Sequence, residues 1–445
     1  MLLRFPVIVA YILLLQHAYT TFTAPTFGYL GFLARDGADL DYLAYVATIA
    51  GVVTLSLALP RRVTRPSDFV LWCVYVLAVV PTVTAAHYAE IVTPAKAVAL
   101  SVAVCACFFL AISATRNGPR FTLRIKTVPP AVAWGLIVGF SATTYIYLAV
   151  TTGLEIRLVG LTDVRDIRFG YRDLVASAGA IGYLLTLQSY VINPLLMARG
   201  IFRRNLGLFT AGLLGQVLLY STAGQKMSIL SPLAVLAIAA AYRHRRRIAG
   251  STILYGITGV TVATIVLDQI RNSGDLTVIF VQRLLLIPGA LVSAYFAIFD
   301  GEPKAHFAFT ALIGAFTDSP YDRTPAFYVG DVFNGNPDVS ANANFFADGF
   351  ANAGYAGMVV ETLVFVLILW LLDASLRHLP MPIACSMLAL PTLSLCNVSA
   401  FTAILSQGMA LVMVLGIILP RTGWTSSPKA PRSLGRNVSS HHRRA

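Results

Sequence analysis

The chain has 445 residues, of which 57% are hydrophobic and only 12% carry a charged side chain. A soluble globular protein is excluded, because no soluble core of this size could bury so much apolar surface. The net charge of +13 comes from short arginine-rich stretches and a basic C-terminal segment. Such cations meet anionic lipid headgroups at a membrane surface, so we expect membrane lipids and not nucleic acid as partners.

Apolar stretches of bilayer-spanning length alternate with polar connections along most of the chain. They predict an all-α polytopic membrane protein whose single transmembrane domain covers residues 1–420. Residues 421–445, rich in Ser, Pro and Arg, are expected to form a disordered basic tail on the cytoplasmic side. About twelve transmembrane helices are expected, at residues 5–22, 41–59, 68–87, 96–115, 128–151, 174–198, 206–223, 227–242, 249–270, 354–373, 381–399 and 402–420.

The connections alternate in charge. The first, third and every further odd-numbered connection, counted from the N-terminal segment, together contain 22 of the 33 Lys and Arg residues and two acidic residues. The even-numbered connections contain the other 11 Lys and Arg residues and 16 acidic residues. Because Lys and Arg are retained on the cytoplasmic side, both termini are predicted inside, with outer loops at 154–173 and 271–353. Segment 276–299 is apolar enough to cross but would invert this charge rule. We therefore expect an interfacial or re-entrant helix on the outer side.

Outer cations form the first candidate binding site. Arg165, Arg168 and Arg172 share one face if their loop is helical, and convergent guanidinium groups suit a phosphate or pyrophosphate. Pairing with neighbouring aspartates is the alternative for these arginines. Lys226, in a tight turn between two apolar helices, is expected at the outer surface, where it either binds a lipid phosphate or extends to the headgroups.

Arg283 lies within the apolar segment 276–299, where a cation is costly and normally has a partner. It is therefore a candidate functional residue, and structural pairing with Asp268 or Glu361 is the alternative. Arg271 and Arg323 are further candidate substrate contacts.

A run of amides, glycines and one carboxylate occupies residues 342–357. Asn344 and Asp348 within it could hydrogen-bond sugar hydroxyls, whereas helix capping and small-residue packing are the alternative for this run. The aromatic residues of 295–350 suit either sugar faces or a membrane-interface belt. Glu361, farther along, is either an acid or base or the partner of a buried arginine.

The order of these features resembles the Wzy-type family of O-antigen or oligosaccharide repeat-unit polymerases, over roughly residues 160–375. The resemblance rests on the turn Gly224-Gln225-Lys226, on the helix from Arg283 to Gly289, and on the stretch Asn344-Phe-Phe-Ala-Asp348-Gly that enters a membrane helix. A lysine in the second motif is a departure, since arginine is equally expected there.

The resemblance implies a GT-C-like fold in the bacterial cytoplasmic membrane, with the active site on its outer face. It implies an inverting glycosyltransferase that needs no metal or cofactor and moves a glycan from one polyprenyl-pyrophosphate carrier onto another carrier-linked repeat unit. A chain-length regulator or another assembly protein would be a partner. The cations Arg165, Arg168, Arg172, Lys226 and Arg283 would stabilise the leaving pyrophosphate. The base would be one of the outer carboxylates Asp318, Asp322 and Asp348.

Three other classes of protein remain open. An O-antigen ligase-like enzyme shares the architecture and the lipid donor, and His306 in the long loop is compatible with it. A glycosyltransferase that uses a polyprenyl-monophosphate sugar is chemically close. A transporter or flippase would place charges or broken helices at the membrane midplane, whereas the charges of this sequence cluster at the predicted outer surface.

Overall fold

The computed structural model describes residues 3–119, 121, 128–152, 181–224, 227–245, 247–311 and 313–424. Within these ranges 76% of the residues are helical, as expected for an all-α membrane protein. The one sheet of the described part pairs two short antiparallel strands, β1 (Arg62–Val63) and β2 (Ile248–Ala249).

Residues 153–180, between the fifth and sixth helices, are outside the described ranges. The described connections up to Phe299 are of at most 12 residues, and a long loop follows Phe299. In chain order the helices are α1 (Arg4–Leu30), α2 (Tyr42–Ala58), α3 (Pro66–Tyr88), α4 (Pro94–Asn117), α5 (Pro130–Thr152), α6 (181–203), α7 (Leu206–Ala223), α8 (Met227–Tyr242), α9 (Ser251–Arg271), α10 (Asp275–Phe299), α11 (Pro325–Asn334), α12 (Phe345–Leu376), α13 (Met381–Leu395), α14 (Ala400–Leu405) and α15 (Met409–Ile418).

Seven of the described helices are long and apolar enough to cross a membrane, namely α1, α3, α4, α5, α9, α10 and α12. Shorter apolar helices are α2, α7, α8, α13 and α15. A helix lies at each of the predicted spans, although the first residues of the predicted span 174–198 are outside the described ranges. The centre of the bundle is α3, which is buried along nearly its whole length among α1, α4, α10, α12 and α13.

The arginine-rich connections meet at one end of the bundle. Strands β1 and β2 belong to two of these connections, and their pairing joins the start of α3 to the start of α9. Ser67 Oγ donates a hydrogen bond to Asp373 Oδ2 over 2.7 Å, which ties α3 to the end of α12. Arg116, at the end of α4, donates to the carbonyl oxygen of Ala58 over 2.9 Å. The connections that the charge rule assigns to the cytoplasm are therefore neighbours in space.

Three acidic connections within the described ranges meet at the opposite end. The backbone N–H of Arg35 donates to the carbonyl oxygen of Tyr88 over 2.8 Å, so the α1–α2 and α3–α4 connections lie side by side. Lys96, in the first turn of α4, forms a 2.8 Å ion pair with Asp300, which follows α10. The long loop of residues 300–344 therefore lies at this end, which we call the loop face.

Helix α10 begins and ends at the loop face. Its first turn is held to the end of α9, where Asp268 Oδ2 accepts a 2.6 Å hydrogen bond from the backbone N–H of Thr277. Its last residue, Phe299, directly precedes Asp300, which pairs with Lys96. Between these ends, α10 contains the π-helical segment Val278–Leu286. Although α10 is long enough to cross, this arrangement favours the interfacial or re-entrant placement predicted for it.

Two helices are broken near the loop face. Helix α12 breaks at Ala353 and Gly354, and Gly354 has φ +61° and ψ −144°, a conformation that residues with a Cβ rarely adopt. Gly349, before the break, and Gly357, after it, come into backbone contact, with no room for a methyl group at either position. The sequence predicts one continuous last span at 402–420, whereas the structure has α14 and α15, separated at Gly408 with φ +95°.

Candidate active site

The break in α12 brings two carboxyl groups face to face. Asp348 and Glu361 are 13 residues apart, which on an unbroken helix would separate them by about 20 Å. The segment before the break instead folds back along the segment after it, so that Gly349 contacts Gly357 and the two carboxyl groups are close enough to interact. Glu361 has no exposed surface, whereas Asp348 is only half-buried. Asp348 therefore lies within the fold but keeps some surface accessible to solvent.

Asn352 holds Asp348 in place and ties it to the long loop. Its amide nitrogen donates to Asp348 Oδ2 over 3.0 Å and to the Asp348 carbonyl oxygen over 2.9 Å. Its amide oxygen accepts a 2.8 Å hydrogen bond from the backbone N–H of Phe307. One side chain thus fixes both the carboxylate and the loop above it.

Glu361 is held from the other side by α14. Its Oε2 accepts a 2.8 Å hydrogen bond from the backbone N–H of Ala400, the first residue of that helix. Its Oε1 is buried and has no hydrogen-bond partner among the described groups, and Asp348 is the neighbouring carboxyl group with which Glu361 interacts. The ring of the next residue, Phe401, packs edge-on against Phe307 at 5.8 Å between centroids. Helix α14 and the long loop therefore pack against each other beside the carboxyl pair.

The loop segment that covers the pair is backbone-strained. His306 and Phe307 have φ values of 53° and 57°, which lie in the left-handed region that favours glycine. Two backbone hydrogen bonds hold the segment, from Ala305 N–H to Ala351 O and from His306 N–H to Asn352 O, each over 3.0 Å. Residues in such conformations cost about 1–3 kcal/mol each and concentrate at functional sites. The side chain of His306 itself is exposed.

Two lysines lie at the rim of the site. Lys304 runs beside the break in α12, donates a hydrogen bond to the carbonyl oxygen of Phe299 and lies 4.9 Å from the centroid of the Phe350 ring. Partial burial lowers the pKa of Lys304, and the charge of Asp300 opposes this shift. The hydrogen bond from Lys96 lowers the pKa of Asp300. The rim therefore carries an acidic group that stays ionised and two cations.

Aromatic rings fill the space between α10, α12 and the loop. The rings of Phe296 and Phe350 stack at 3.7 Å between centroids, and those of Tyr321 and Tyr328 lie 4.5 Å apart. Tyr295 is buried and donates its hydroxyl to the carbonyl oxygen of Ala341 over 3.1 Å. This cluster gives the site a firm apolar wall on the side of α10.

The other predicted outer residues take several positions. Asn344 is fully buried, and its amide caps α12 and donates to Thr82 Oγ1 over 3.0 Å, as the capping alternative predicts. Asp318 and Asp322 are exposed on the long loop. Arg323 lies 3.4 Å from Asp322 and 3.8 Å from Asp331. Of the three carboxylates predicted as candidate bases, Asp318 and Asp322 are therefore exposed, and Asp348 is partly buried within the fold.

Arg283 and Arg271 are both exposed. Arg283 projects from the π-helical segment of α10, and Arg271 is the last residue of α9. Asp268, one of the partners considered for Arg283, accepts hydrogen bonds from the N–H groups of Leu276 and Thr277 and from Ser273 Oγ. Asp268 therefore acts as a local cap that joins α9 to α10.

The predicted anion-binding residues Arg165, Arg168, Arg172 and Lys226 lie outside the described residues. So does the predicted tail from residue 425. The helix that follows the Lys226 turn is described, and its Ser228 and Ser231 hydrogen-bond to Ser189 of α6 and Gln216 of α7 over 2.9 and 2.7 Å. The start of α8 is therefore fixed by a buried polar network.

Sequence reasoning missed the partnership at the centre of this site. The sequence predicts separate roles for Asp348 and Glu361, places Asn352 only within a run of amides and glycines, and gives no sign that Lys96 and Lys304 lie at the site. The sequence feature that could indicate this pair is the spacing of Gly349, Gly354 and Gly357, because glycines at these positions allow the break in α12 and the close backbone approach. In the described ranges, no three His, Cys, Asp or Glu side chains group closely enough to hold a metal ion.

Comparison with known proteins leaves the family open. No protein-family model matches the chain, and neither curated proteins nor solved structures give a significant match. What the structure supports is an all-α membrane protein with a deep-set carboxyl pair beneath the long loop of its loop face.

Proposed function

We propose that this protein is a membrane glycosyltransferase that polymerises oligosaccharide repeat units carried on polyprenyl pyrophosphate. The reaction takes place at the loop face, which the charge rule assigns to the non-cytoplasmic side. The resemblance implies that the membrane is the bacterial cytoplasmic membrane. The proposal takes up the resemblance to Wzy-type polymerases.

The observation that carries the proposal is the setting of Asp348. It is half-buried beneath the long loop, oriented by Asn352, and backed by Glu361. A general base must be held at a fixed position and still reach the hydroxyl whose proton it takes. Asp348 meets both conditions, so it is the base in this proposal, ahead of the exposed Asp318 and Asp322.

The chemistry is a single displacement with inversion. Asp348 accepts the proton of an acceptor sugar hydroxyl as that oxygen forms a bond to the anomeric carbon of the donor glycan. The bond from this carbon to the phosphate oxygen breaks, and its electron pair leaves with the polyprenyl pyrophosphate. The leaving group gains negative charge, so cations placed beside it stabilise the transition state.

The described structure and the sequence each supply candidate cations for this role. Lys304 and Lys96 lie at the rim of the site in the described structure. Arg165, Arg168, Arg172, Lys226, Arg271, Arg283 and Arg323 are candidates from the sequence. The aromatic rings between α10 and α12 would pack against sugar faces.

The proposal is tested by replacing the base with its neutral isostere. Asp348→Asn should lower glycosyl transfer by about 10²–10⁴-fold, the usual contribution of a general base, since the amide cannot accept the proton. The matched control is Asp338→Asn, the same change on an exposed loop residue. The assay uses purified protein with carrier-linked repeat units and follows polymer length. Normal polymer from Asp348→Asn would refute the role of this residue.

A second candidate function is proton-coupled transport. Broken helices beside a buried carboxyl pair are typical of transporter binding sites, and here α12 is broken and the N-terminus of α14 points at Glu361. Transport and transfer differ in product, because only transfer makes a new glycosidic bond. The same purified components therefore distinguish them.

A further inference from the structure

We infer that Asp348 and Glu361 hold a single proton between them, carried on Glu361 Oε1, and that Glu361 is the positioning residue that keeps Asp348 ionised and correctly turned. This inference deepens the proposed function and rests on it for its catalytic meaning. The assignment of the proton itself rests on the burial of the two carboxyl groups and on the hydrogen bonds that each of them accepts.

The atoms around Glu361 assign its two oxygens different roles. Oε2 accepts a hydrogen bond from the backbone N–H of Ala400, as the carbonyl oxygen of a protonated carboxyl group does. Oε1 is buried and has no other partner among the described groups, and Asp348 is the carboxyl group that interacts with Glu361, so we assign the hydrogen to Oε1, which donates it to Asp348. Two carboxyl groups can form a hydrogen bond to each other only when one of them is protonated.

Burial decides which of the two holds the proton. Glu361 has no exposed surface, so a charge on it would be fully desolvated. Asp348 retains contact with solvent and accepts a second hydrogen bond from Asn352 Nδ2. Both features favour the negative charge on Asp348. Two adjacent carboxylates cannot both be ionised without strong repulsion, so the pair behaves as one unit.

Titratable groups from neighbouring helices leave this assignment unchanged. Tyr295 of α10 lies close enough to Asp348 to interact electrostatically, and Cys107 of α4 lies near Thr362, the residue after Glu361. Lys304 runs beside the break between the two carboxyls. Phenols and thiols are neutral at physiological pH, and the lysine favours an anion at the exposed end of the pair.

The shared proton has a mechanistic consequence. During transfer, Asp348 takes the acceptor's proton on the oxygen that faces the substrate, while its other oxygen accepts from Glu361 Oε1–H. After product release, Asp348 loses the transferred proton to water through its exposed surface, and the Glu361 proton is kept. Glu361 therefore orients the base without exchanging a proton in each cycle.

The first test is a pH profile. Glutamine at 361 can donate to Asp348 and accept from Ala400, so Glu361→Gln should keep transfer within about tenfold of the wild type, the effect of one perturbed hydrogen bond. Glu361→Leu should lose at least about a hundredfold. As pH rises, the wild type loses its shared proton and its activity, whereas Glu361→Gln has no such proton and should remain active at higher pH. Identical alkaline limbs, or a loss in Glu361→Gln as large as in Asp348→Asn, would overturn the inference.

The second test is independent of activity. Infrared spectra of the purified protein at neutral pH should show the carbonyl band of a protonated carboxyl, which Glu361→Gln removes. The control Glu90→Gln, at an exposed position, should leave the band in place. A band that Glu361→Gln does not affect would refute the shared proton. If Glu361→Gln removes the band but the wild type makes no glycosidic bond, the proposed function fails and the shared proton stands.

Discussion

Asn352 links the chemistry of the site to its architecture through one amide group. Its nitrogen donates to Asp348 and its oxygen accepts from the backbone of Phe307. The donor and acceptor ends of an amide cannot be exchanged without breaking both bonds. The strained conformation of Phe307 is therefore coupled to the orientation of the carboxylate.

Asn352→Asp tests this link with an isosteric change. The new carboxylate keeps the acceptor for Phe307 but replaces the donor to Asp348 by a like charge. A neighbouring negative charge disfavours ionisation of Asp348, so the acid limb of the pH–rate profile should move to higher pH. The control is Asn342→Asp on the exposed part of the loop. If the acid limb of Asn352→Asp stays where it is in the wild type, the side chain at position 352 does not influence the ionisation of Asp348.

For single residues, the sequence indicates which side chains are functional candidates but not which of them contact one another. Asp348 stands out because a carboxylate among amides and glycines is visible in the sequence. Glu361 could not be assigned to it, because on a continuous helix 13 residues place the two side chains far apart. The capping role of Asn344 was predicted as an alternative and is what the structure shows.

The element that creates the site is α12, and its break depends on glycine. Gly354 adopts a backbone conformation in which a Cβ is strained, and the break allows Gly349 and Gly357 to meet. The predicted span at 354–373 begins at this break, because the apolar stretch begins there. The division of the last span at Gly408 was not predicted, because a six-residue helix followed by a short turn has the same hydropathy as one continuous helix.

Gly354→Ala should destabilise the protein by about 1–3 kcal/mol and impair transfer, since the methyl group disfavours the conformation that brings Asp348 to Glu361. Gly51→Ala is the matched control, because Gly51 lies within α2 with open space around it. That change should be neutral or stabilising by up to about 1 kcal/mol. Thermal unfolding in detergent measures both variants. Equal stability of the two would show that the break does not require glycine at 354.

At the scale of the whole molecule, two faces with different charge lie at opposite ends of the helices. The sequence predicted this separation from its Lys and Arg counts, and the contacts of β1 with β2 and of Lys96 with Asp300 bring each set of connections together. What hydropathy could not determine is the course of α10. Its length suits a crossing, and only the contacts at its two ends place both on the loop face.

Cysteine labelling in intact cells tests this topology. Asp275→Cys and Glu302→Cys, exposed at the two ends of α10, should both react with an impermeant thiol reagent, whereas Arg245→Cys should react only after the membrane is opened. The wild type is the background control, because none of its five cysteines is exposed. Labelling of only one of the two α10 sites in intact cells, with both reactive in opened membranes, would mean that α10 crosses. Labelling of Arg245→Cys in intact cells would invert the orientation.

The most direct measurement is the fate of carrier-linked repeat units given to the purified wild-type protein in liposomes. We expect a ladder of longer glycans, with one polyprenyl pyrophosphate released for each new glycosidic bond, and no ladder with Asp348→Asn. Movement of intact carrier-linked units across the bilayer without any new bond would contradict the account and establish transport instead.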